Sequence, residues 1–131
     1  MLFVDDEEAL VELLSLSLEA LGYRVTGFTD PEAALTEFRA QPLEFDAVVS
    51  DLSMPRMSGL ALARKLREIR PDVPVVLMSG YLRSADEAAA KEIGVLGFAF
   101  KGSAVDEIAK SLDDILRGRR GPGGANFDEP T

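Results

Sequence analysis

The 131-residue chain contains no cysteine and no histidine. Without cysteine it cannot form disulfide bonds, use thiol catalysis or bind metal through thiolates, and this composition fits a cytoplasmic protein. Without histidine it has no imidazole base and no imidazole zinc ligand, which excludes Ser-His-Asp hydrolysis. The chain also cannot carry a phosphohistidine, so chemistry through that group needs another molecule or another part of a longer protein.

Basic residues are few as well, with 14 Lys and Arg against 23 Asp and Glu and a net charge of −9. Because affinity for nucleic acid comes from clustered basic side chains, we expect none here. The one dense basic cluster, at residues 117–120, is too short to change that expectation. No apolar run approaches the ~20 residues of a membrane span, and no basic region precedes an apolar stretch at the N-terminus. The composition predicts a soluble protein that is neither secreted nor bound to a membrane.

The chain does have 47% hydrophobic residues, enough for one buried core, in short apolar runs that alternate with longer amphipathic segments. The runs predict strands at residues 2–4, 23–28, 45–50, 74–78 and 97–100. The amphipathic segments predict helices at residues 7–21, from 29 to before Pro42, 58–70, 84–93 and 105–116. Such alternation is typical of an α/β domain with a parallel sheet. We therefore expect one domain over residues 1–117 and a flexible, Gly- and Pro-rich tail over residues 118–131.

Polar side chains follow four of the five predicted strands. Asp5 and Asp6 follow the first strand, Asp51 the third, Ser79 the fourth and Lys101 the fifth. Ligands of parallel α/β sheets bind outside the carboxyl ends of the strands, so we expect these groups at one edge of the sheet. Three carboxylates there would repel one another, by roughly 4 kcal/mol for two unit charges ~4 Å apart at an effective dielectric near 20.

Positive charge must offset this repulsion. Lys101 supplies one charge, and a divalent cation would supply two more. All-oxygen ligands suit Mg²⁺, which takes one or two carboxylates together with phosphate oxygens of a substrate. A metal and a lysine beside a carboxylate are suited to phosphoryl transfer, so Asp51 could be a nucleophile that forms an aspartyl-phosphate.

Each of these residues also has an ordinary structural explanation. Asp5 or Asp6 could be a helix N-cap, and Asp51 could be a turn former. Ser79 could belong to a plain strand exit, and Lys101 could be a solvated lysine at a strand end. Their expected convergence from separate strands on one edge favours the functional interpretation.

Four segments, in this order and at these spacings, form a specific signature. They are "LFVDDE" at residues 2–7, "VVSDLSMPRMSG" at 48–59, "VVLMSGY" at 75–81 and "FAFKGS" at 98–103. Through them the chain resembles the receiver domain of bacterial response regulators over residues 1–117. The resemblance implies a flavodoxin-like, doubly wound (βα)5 fold with a five-stranded parallel sheet in the order 2-1-3-4-5.

The resemblance also implies a nucleophile and a metal site. Asp51 aligns with the aspartate that accepts phosphate from the phosphohistidine of a partner. Asp6 aligns with the acid that binds Mg²⁺ directly, and Asp5 aligns with its neighbour, which usually acts through water. Ser53 would lend its backbone carbonyl to the metal.

Further positions of the family concern the switch itself. Ser79 matches the hydroxyl residue that turns toward the phosphoryl group, and Lys101 matches the lysine that pairs with that group. Phe98 matches the aromatic that swings inward when the hydroxyl moves, although a plain core aromatic explains it equally well. The family usually has proline after the lysine, whereas this chain has Gly102. Because a cis bond without proline costs ~2.5–4 kcal/mol, we expect a trans peptide between Lys101 and Gly102.

We therefore predict a phosphorylation switch, which assists its own phosphoryl transfer and hydrolysis but is not an enzyme. A histidine kinase or histidine phosphotransfer protein would deliver the phosphoryl group to Asp51 with Mg²⁺ bound. The fourth helix, fifth strand and fifth helix would then present the changed face to a protein, because no helix-turn-helix follows residue 117. The segment "SGYLR" at residues 79–83 is similar to receivers at the C-terminal end of sensory hybrid kinases, and a stand-alone regulator is the other option.

Two other functions stay open. A phosphatase of the haloacid-dehalogenase type also uses an aspartate, Mg²⁺ and a lysine, but it needs a second aspartate where this chain has Ser53, and it has a cap domain. A degenerate receiver would act as a binding module that never takes phosphate. The complete set of acids argues against this module, and Gly102 keeps it open.

The first predicted helix carries an additional leucine. Six of its apolar residues fill an arc of roughly 160° at helical periodicity, namely Leu10, Val11, Leu13, Leu14, Leu18 and Leu21. Leu16 lies outside that arc. Single exposed leucines are common. The functional hypothesis is that a partner helix docks there, in a homodimer or in a complex with a kinase.

Overall fold

The computed structural model describes residues 1–118 and 124–126. Five parallel strands alternate with five helices, as predicted, and each predicted boundary is within three residues of the observed one. The strands are β1 (Leu2–Val4), β2 (Thr26–Phe28), β3 (Val48–Asp51), β4 (Val75–Ser79) and β5 (Gly97–Phe100). The helices are α1 (Glu8–Ala20), α2 (Pro31–Ala40), α3 (Gly59–Ile69), α4 (Ser84–Ile93) and α5 (Val105–Leu116).

The parallel strands lie in the order β2-β1-β3-β4-β5, which confirms the flavodoxin-like topology. The chain reverses its direction of winding between β1 and β3, and in such sheets this switch point forms the ligand crevice. Val4 at the end of β1 is in register with Ser50 of β3. The residues that follow, Asp5 and Asp51, therefore leave the sheet side by side.

Two apolar layers cover the sheet, one on each face. Leu2, Val48 and Leu77 pack with the inner sides of α2, α3 and α4. Phe3 and Val49, which alternate with them, pack with α1 and α5 on the other face. Because both faces are buried, the strands have continuous apolar runs rather than a polar and an apolar side.

Side-chain caps fix where two helices begin. Ser58 accepts a hydrogen bond from the backbone N–H of Ala61 at 3.1 Å and so caps α3. At α2 the cap is Asp30, which accepts from the N–H of Glu32 at 3.0 Å. Pro31 occupies the first helical position with its fixed φ, which makes the residue before it the cap.

A sixth strand, β6 (Gly124–Asn126), pairs antiparallel with β5 and was not predicted from the sequence. The rest of the tail for which we predict flexibility, residues 119–123 and 127–131, lies outside the described residues, and that prediction stays a prediction. The described helices are all too short or too polar to cross a membrane.

Candidate functional site

Three carboxylates meet at the carboxyl ends of β1 and β3. One oxygen from each of Asp5, Asp6 and Asp51 lies within 4.8 Å of the other two. Asp5 and Asp51 are buried, whereas Asp6 is exposed. The register between β1 and β3 causes this convergence, because each acid is the residue at or just beyond the end of its strand.

Asp5 is held in place by the backbone on both sides. Its N–H donates to the carbonyl of Phe28 at 3.1 Å, and its Oδ1 accepts from the N–H of Glu7 at 2.9 Å. Its side chain is 0% exposed. Desolvation raises the pKa of Asp5 above its usual value, and the charge of Asp51 adds to this, while hydrogen bonds from Glu7 and Lys101 oppose it.

The ammonium of Lys101 lies inside the acidic cluster. Its Nζ is 2.9 Å from Asp51 Oδ2, 3.0 Å from Asp5 Oδ2 and 2.8 Å from Glu7 Oε1. β5 aims the side chain there, because the N–H of Lys101 donates to the carbonyl of Ser79 at 2.9 Å. Burial lowers the pKa of Lys101, but the hydrogen bonds with the three acids outweigh it and raise the pKa above the usual value. Lys101 is therefore charged at neutral pH.

Glu7 is a member of this cluster that the sequence did not predict. It lies just before α1 at the N-cap position, and its side chain makes no cap hydrogen bond. Its carboxylate instead bonds Lys101, which is far away in the sequence. The only signal in the sequence was a third acid directly after Asp5 and Asp6. That signal is equally typical of a helix N-terminus, where acids are favoured by the dipole.

A cavity of about 650 Å³ lies at this edge of the sheet. Of the predicted site residues, five contribute to its lining, namely Asp6, Asp51, Ser53, Ser79 and Lys101, whereas the fully buried Asp5 does not. Ser53 is exposed there. The assignment of its backbone carbonyl to a metal stays a prediction.

The hydroxyl of Ser79 bonds to the loop that follows β4. Ser79 Oγ donates to the carbonyl of Tyr81 at 2.6 Å and accepts from the N–H of Tyr81 at 3.1 Å. To donate to a group bound to Asp51, the hydroxyl would have to give up its bond to the Tyr81 carbonyl, because it carries a single hydrogen. Phe98 is nevertheless already buried, at 4% exposure, among residues of the α2–α3–α4 face. Its inward position therefore does not depend on a turned hydroxyl, which agrees with the core-aromatic explanation.

The glycine at position 102, where the family that the chain resembles usually has proline, has a steric explanation. The Lys101–Gly102 peptide is trans, as expected, and no cis bond occurs in the described residues. A Cβ at position 102 would overlap the ring of Phe100, with Cε2 of the ring only 2.8 Å away. Glycine lets the exposed ring of Phe100 lie over the loop that carries Lys101.

Gly59 is a second residue whose part in the site the sequence did not predict. Its N–H donates to the carbonyl of Leu52 at 2.8 Å. A Cβ there would overlap the carbonyl oxygen of Asp51 and lie 3.0 Å from the Cα of Leu52. The first turn of α3 therefore packs directly against the backbone that holds the Asp51 carboxylate.

The donor set fits Mg²⁺. The three clustered carboxylates supply oxygen ligands of the type that this ion prefers. Among the described residues, Asp5 Oδ2 is a buried side-chain oxygen with no aligned hydrogen-bond donor, although Lys101 Nζ is near. Three carboxylates, including that of Glu7, contact the ammonium of Lys101, and Asp6 adds a fourth to the cluster, so the cluster carries excess negative charge that a divalent cation would balance.

Comparison with known proteins assigns the family. Residues 1–113 match the family model of the response regulator receiver domain. The transcriptional regulatory protein GlrR of Escherichia coli is 31% identical over 116 residues, covering 88% of this chain and 26% of that protein. The chain spans from about a quarter to about half of the length of the first curated relatives that it matches.

Solved structures agree with the sequence match. The chemotaxis protein CheY4 of Vibrio cholerae superimposes with a TM-score of 0.76 at 26% identity, covering 87% of this chain and 95% of that one. A response regulator from Burkholderia pseudomallei, solved with a phosphorylated aspartic acid, a calcium ion and citrate, gives a TM-score of 0.76 at 28% identity. It is covered over 64% of its chain, and this chain over 88%. The chain thus belongs to the response regulator receiver domain family.

Proposed function

We propose that this chain is a signalling switch that accepts a phosphoryl group on Asp51 in the presence of Mg²⁺. The observation that carries the proposal is the approach of Lys101 to Asp51 Oδ2 at 2.9 Å beside the three clustered carboxylates. A phosphoryl group in transfer spreads negative charge over its oxygens and needs cations on more than one side. The lysine and a metal at this cluster would meet that need.

Each residue of the site has its own role in this proposal. Asp51 Oδ is the nucleophile: it forms the new bond to phosphorus while the bond from phosphorus to the imidazole nitrogen of the donor breaks. Asp5, Asp6, Asp51 and the Ser53 carbonyl would hold Mg²⁺, which would supply positive charge to the phosphoryl oxygens. Lys101 supplies the second positive charge. Ser79 donates its hydroxyl to a phosphoryl oxygen after leaving the Tyr81 backbone.

In this proposal, one protein donates the phosphoryl group to the chain and another protein receives the signal from it. Because the chain has no histidine, the phosphoryl group comes from a histidine kinase or a histidine phosphotransfer protein. Output passes through the face of α4, β5 and α5, since β5 carries both Phe98 and the connection to Lys101. The place of action is the cytoplasm, and the partner at the output face is a protein rather than nucleic acid.

Mass spectrometry with a small phosphodonor tests the proposal. Incubation with Mg²⁺ and phosphoramidate should add the mass of one phosphoryl group to the wild type and none to Asp51→Asn. Asp46→Asn, which removes an exposed acid outside the cluster, is the matched control and should still be labelled. An unlabelled wild type, or equal labelling of Asp51→Asn, would show that the proposed function is wrong. Sustained turnover of a generic phosphatase substrate would instead indicate a haloacid-dehalogenase type of enzyme.

A further inference from the structure

The ammonium of Lys101 is closely surrounded by carboxylates in this structure. It carries three N–H groups, and three carboxylate oxygens, from Asp5, Glu7 and Asp51, lie within 3.0 Å of Nζ. In the function proposed above, on which this inference rests, Lys101 pairs with the phosphoryl group on Asp51. A phosphoryl oxygen can reach Nζ only if one of the present partners gives up its place.

The three partners differ in how easily they leave. The Asp5 carboxylate is fully buried and fixed by the N–H of Glu7, so losing Lys101 would leave a buried charge without a cation. Asp51 is buried at the end of β3 and carries the phosphoryl group itself. The side chain of Glu7 is 63% exposed and can turn into water. Glu7 is therefore the partner that is displaced.

We propose that Glu7 is a positioning residue that holds Lys101 in the resting site and competes with the incoming phosphoryl group for its ammonium. Its position supports this role, because at the N-cap of α1 its side chain bonds Lys101 and makes no cap bond. It is also outside the group of three acids whose oxygens cluster closely enough to share a metal. Glu7 thereby slows phosphorylation without taking part in the phosphorylated state.

The kinetic consequence separates this role from a merely structural one. Removing the Glu7 contact should raise the rate of phosphorylation by a factor between about 1.4 and 5, because measured strengths of exposed ion pairs correspond to that range. The rate of hydrolysis of phosphorylated Asp51 should stay unchanged, because Glu7 is already displaced in that state. The Mg²⁺ affinity should change no more than in a control that loses one nearby charge.

Glu7→Gln, Glu7→Asp and Glu8→Gln test this with phosphoramidate and Mg²⁺ in rapid-mixing experiments. In the reaction the P–N bond breaks, ammonia leaves and an Asp51 oxygen bonds phosphorus. Glu8→Gln removes the same charge from an exposed neighbour that is not among the described acids within 4.0 Å of Lys101. Glu7→Asp keeps the charge but shortens the reach by one methylene.

The expected result is faster phosphorylation in Glu7→Gln and Glu7→Asp than in Glu8→Gln, with equal hydrolysis rates in all three. Equal acceleration in Glu7→Gln and Glu8→Gln, or a wild-type rate in Glu7→Asp, would show that only net charge matters and would overturn the inference. Slower phosphorylation in Glu7→Gln would also overturn it. A wild type that takes no phosphoryl group defeats the proposed function itself, whereas the preceding outcomes leave that function standing.

Discussion

At the scale of single residues, the site is defined by an imbalance of charge. Lys101 contacts three carboxylates, and Asp6 adds a fourth to the cluster. Such an arrangement costs folding free energy, because burial removes the Asp5 carboxylate from water and the charge of Asp51 adds to the cost of ionising it. Functional sites commonly carry strain of this kind, since the groups are placed for a ligand rather than for stability.

Asp5 makes this cost depend on pH. Its pKa in the folded protein is raised, chiefly by desolvation, so the folded state favours the protonated form. The resulting stability is fully present below the unfolded pKa of about 3.9 and is lost as the pH rises through the folded pKa. Asp5→Asn, which resembles the protonated form, should therefore be more stable than the wild type at neutral pH without Mg²⁺.

Urea unfolding across a pH series measures this effect. The advantage of Asp5→Asn should shrink toward acidic pH, and added Mg²⁺ should stabilise the wild type more than the variant. Asp46→Asn, at an exposed position outside the cluster, should show neither behaviour. A variant that is less stable than the wild type at pH 7 would contradict the prediction.

At the scale of elements, the helices and strands owe their bounds to their neighbours as much as to their own residues. We predicted β2 from residue 23 and β3 from residue 45, and both begin three residues later. β1 has only three residues, so β2 finds only three partners on it. Tyr23 instead packs on the α1–α5 face and donates to Asp113 at 2.6 Å, while Phe45 stacks on Phe38. Tyr23 and Phe45, which the pattern assigned to strands, thus pack against the core although they lie outside β2 and β3.

The sixth strand has a related explanation. β5 would otherwise be an edge of the sheet with unpaired backbone groups, and Gly124–Asn126 pairs with Gly97–Ala99. Nothing in the composition of "GAN" is typical of a strand, because glycine and asparagine are depleted in sheets. The open edge decides the pairing here, not the propensity of the segment.

The contact between α3 and β3 is the element-scale feature that positions the nucleophile. Gly59→Ala places a methyl group into the backbone of Asp51 and Leu52, so α3 or the end of β3 must move. We expect a loss of about 1–3 kcal/mol in the free energy of unfolding, as for other overpacked sites. Gly80→Ala is the control for urea unfolding, because a Cβ at residue 80 meets no atom within 4 Å in the described structure. Equal stability of the two variants would contradict the packing argument.

At the scale of the whole molecule, α1 leaves apolar surface uncovered. Leu14 and Leu18 are fully buried against the sheet, whereas Leu16 is 65% and Leu13 is 54% exposed. The prediction that Leu16 lies off the buried face is confirmed, and Leu13, which we had placed on that face, is exposed as well. Docking of a partner helix or a second copy on this surface stays a prediction.

Leu16→Glu tests that docking. Because the side chain is exposed, the free energy of unfolding should change by no more than about 0.5 kcal/mol. Self-association, measured by sedimentation, or binding to a histidine phosphotransfer protein should weaken. Leu14→Glu is the contrasting variant, since a buried charge there should unfold the domain. Unchanged association of Leu16→Glu in both assays would count against the docking hypothesis.

The fold and most of the candidate site could be predicted from the order of the amino acids. Apolar runs in alternation with amphipathic segments require a parallel sheet covered on both faces, and the carboxyl ends of its strands converge. Asp5, Asp51, Ser79 and Lys101 could therefore be placed at one edge of the sheet from their positions at strand ends alone.

The contacts that each of these groups makes could not be predicted and became visible in the folded molecule. Glu7 joins the site through Lys101, which lies far away along the chain. Gly59 and the Tyr81 backbone join it through close contacts with nearby residues of the chain, Asp51 and Ser79. Periodicity reports which face of an element is buried, but not which atoms meet across elements. The physical reason is that strand ends fix backbone positions, whereas the partners of Lys101 and Ser79 depend on side-chain geometry that only the packed molecule sets.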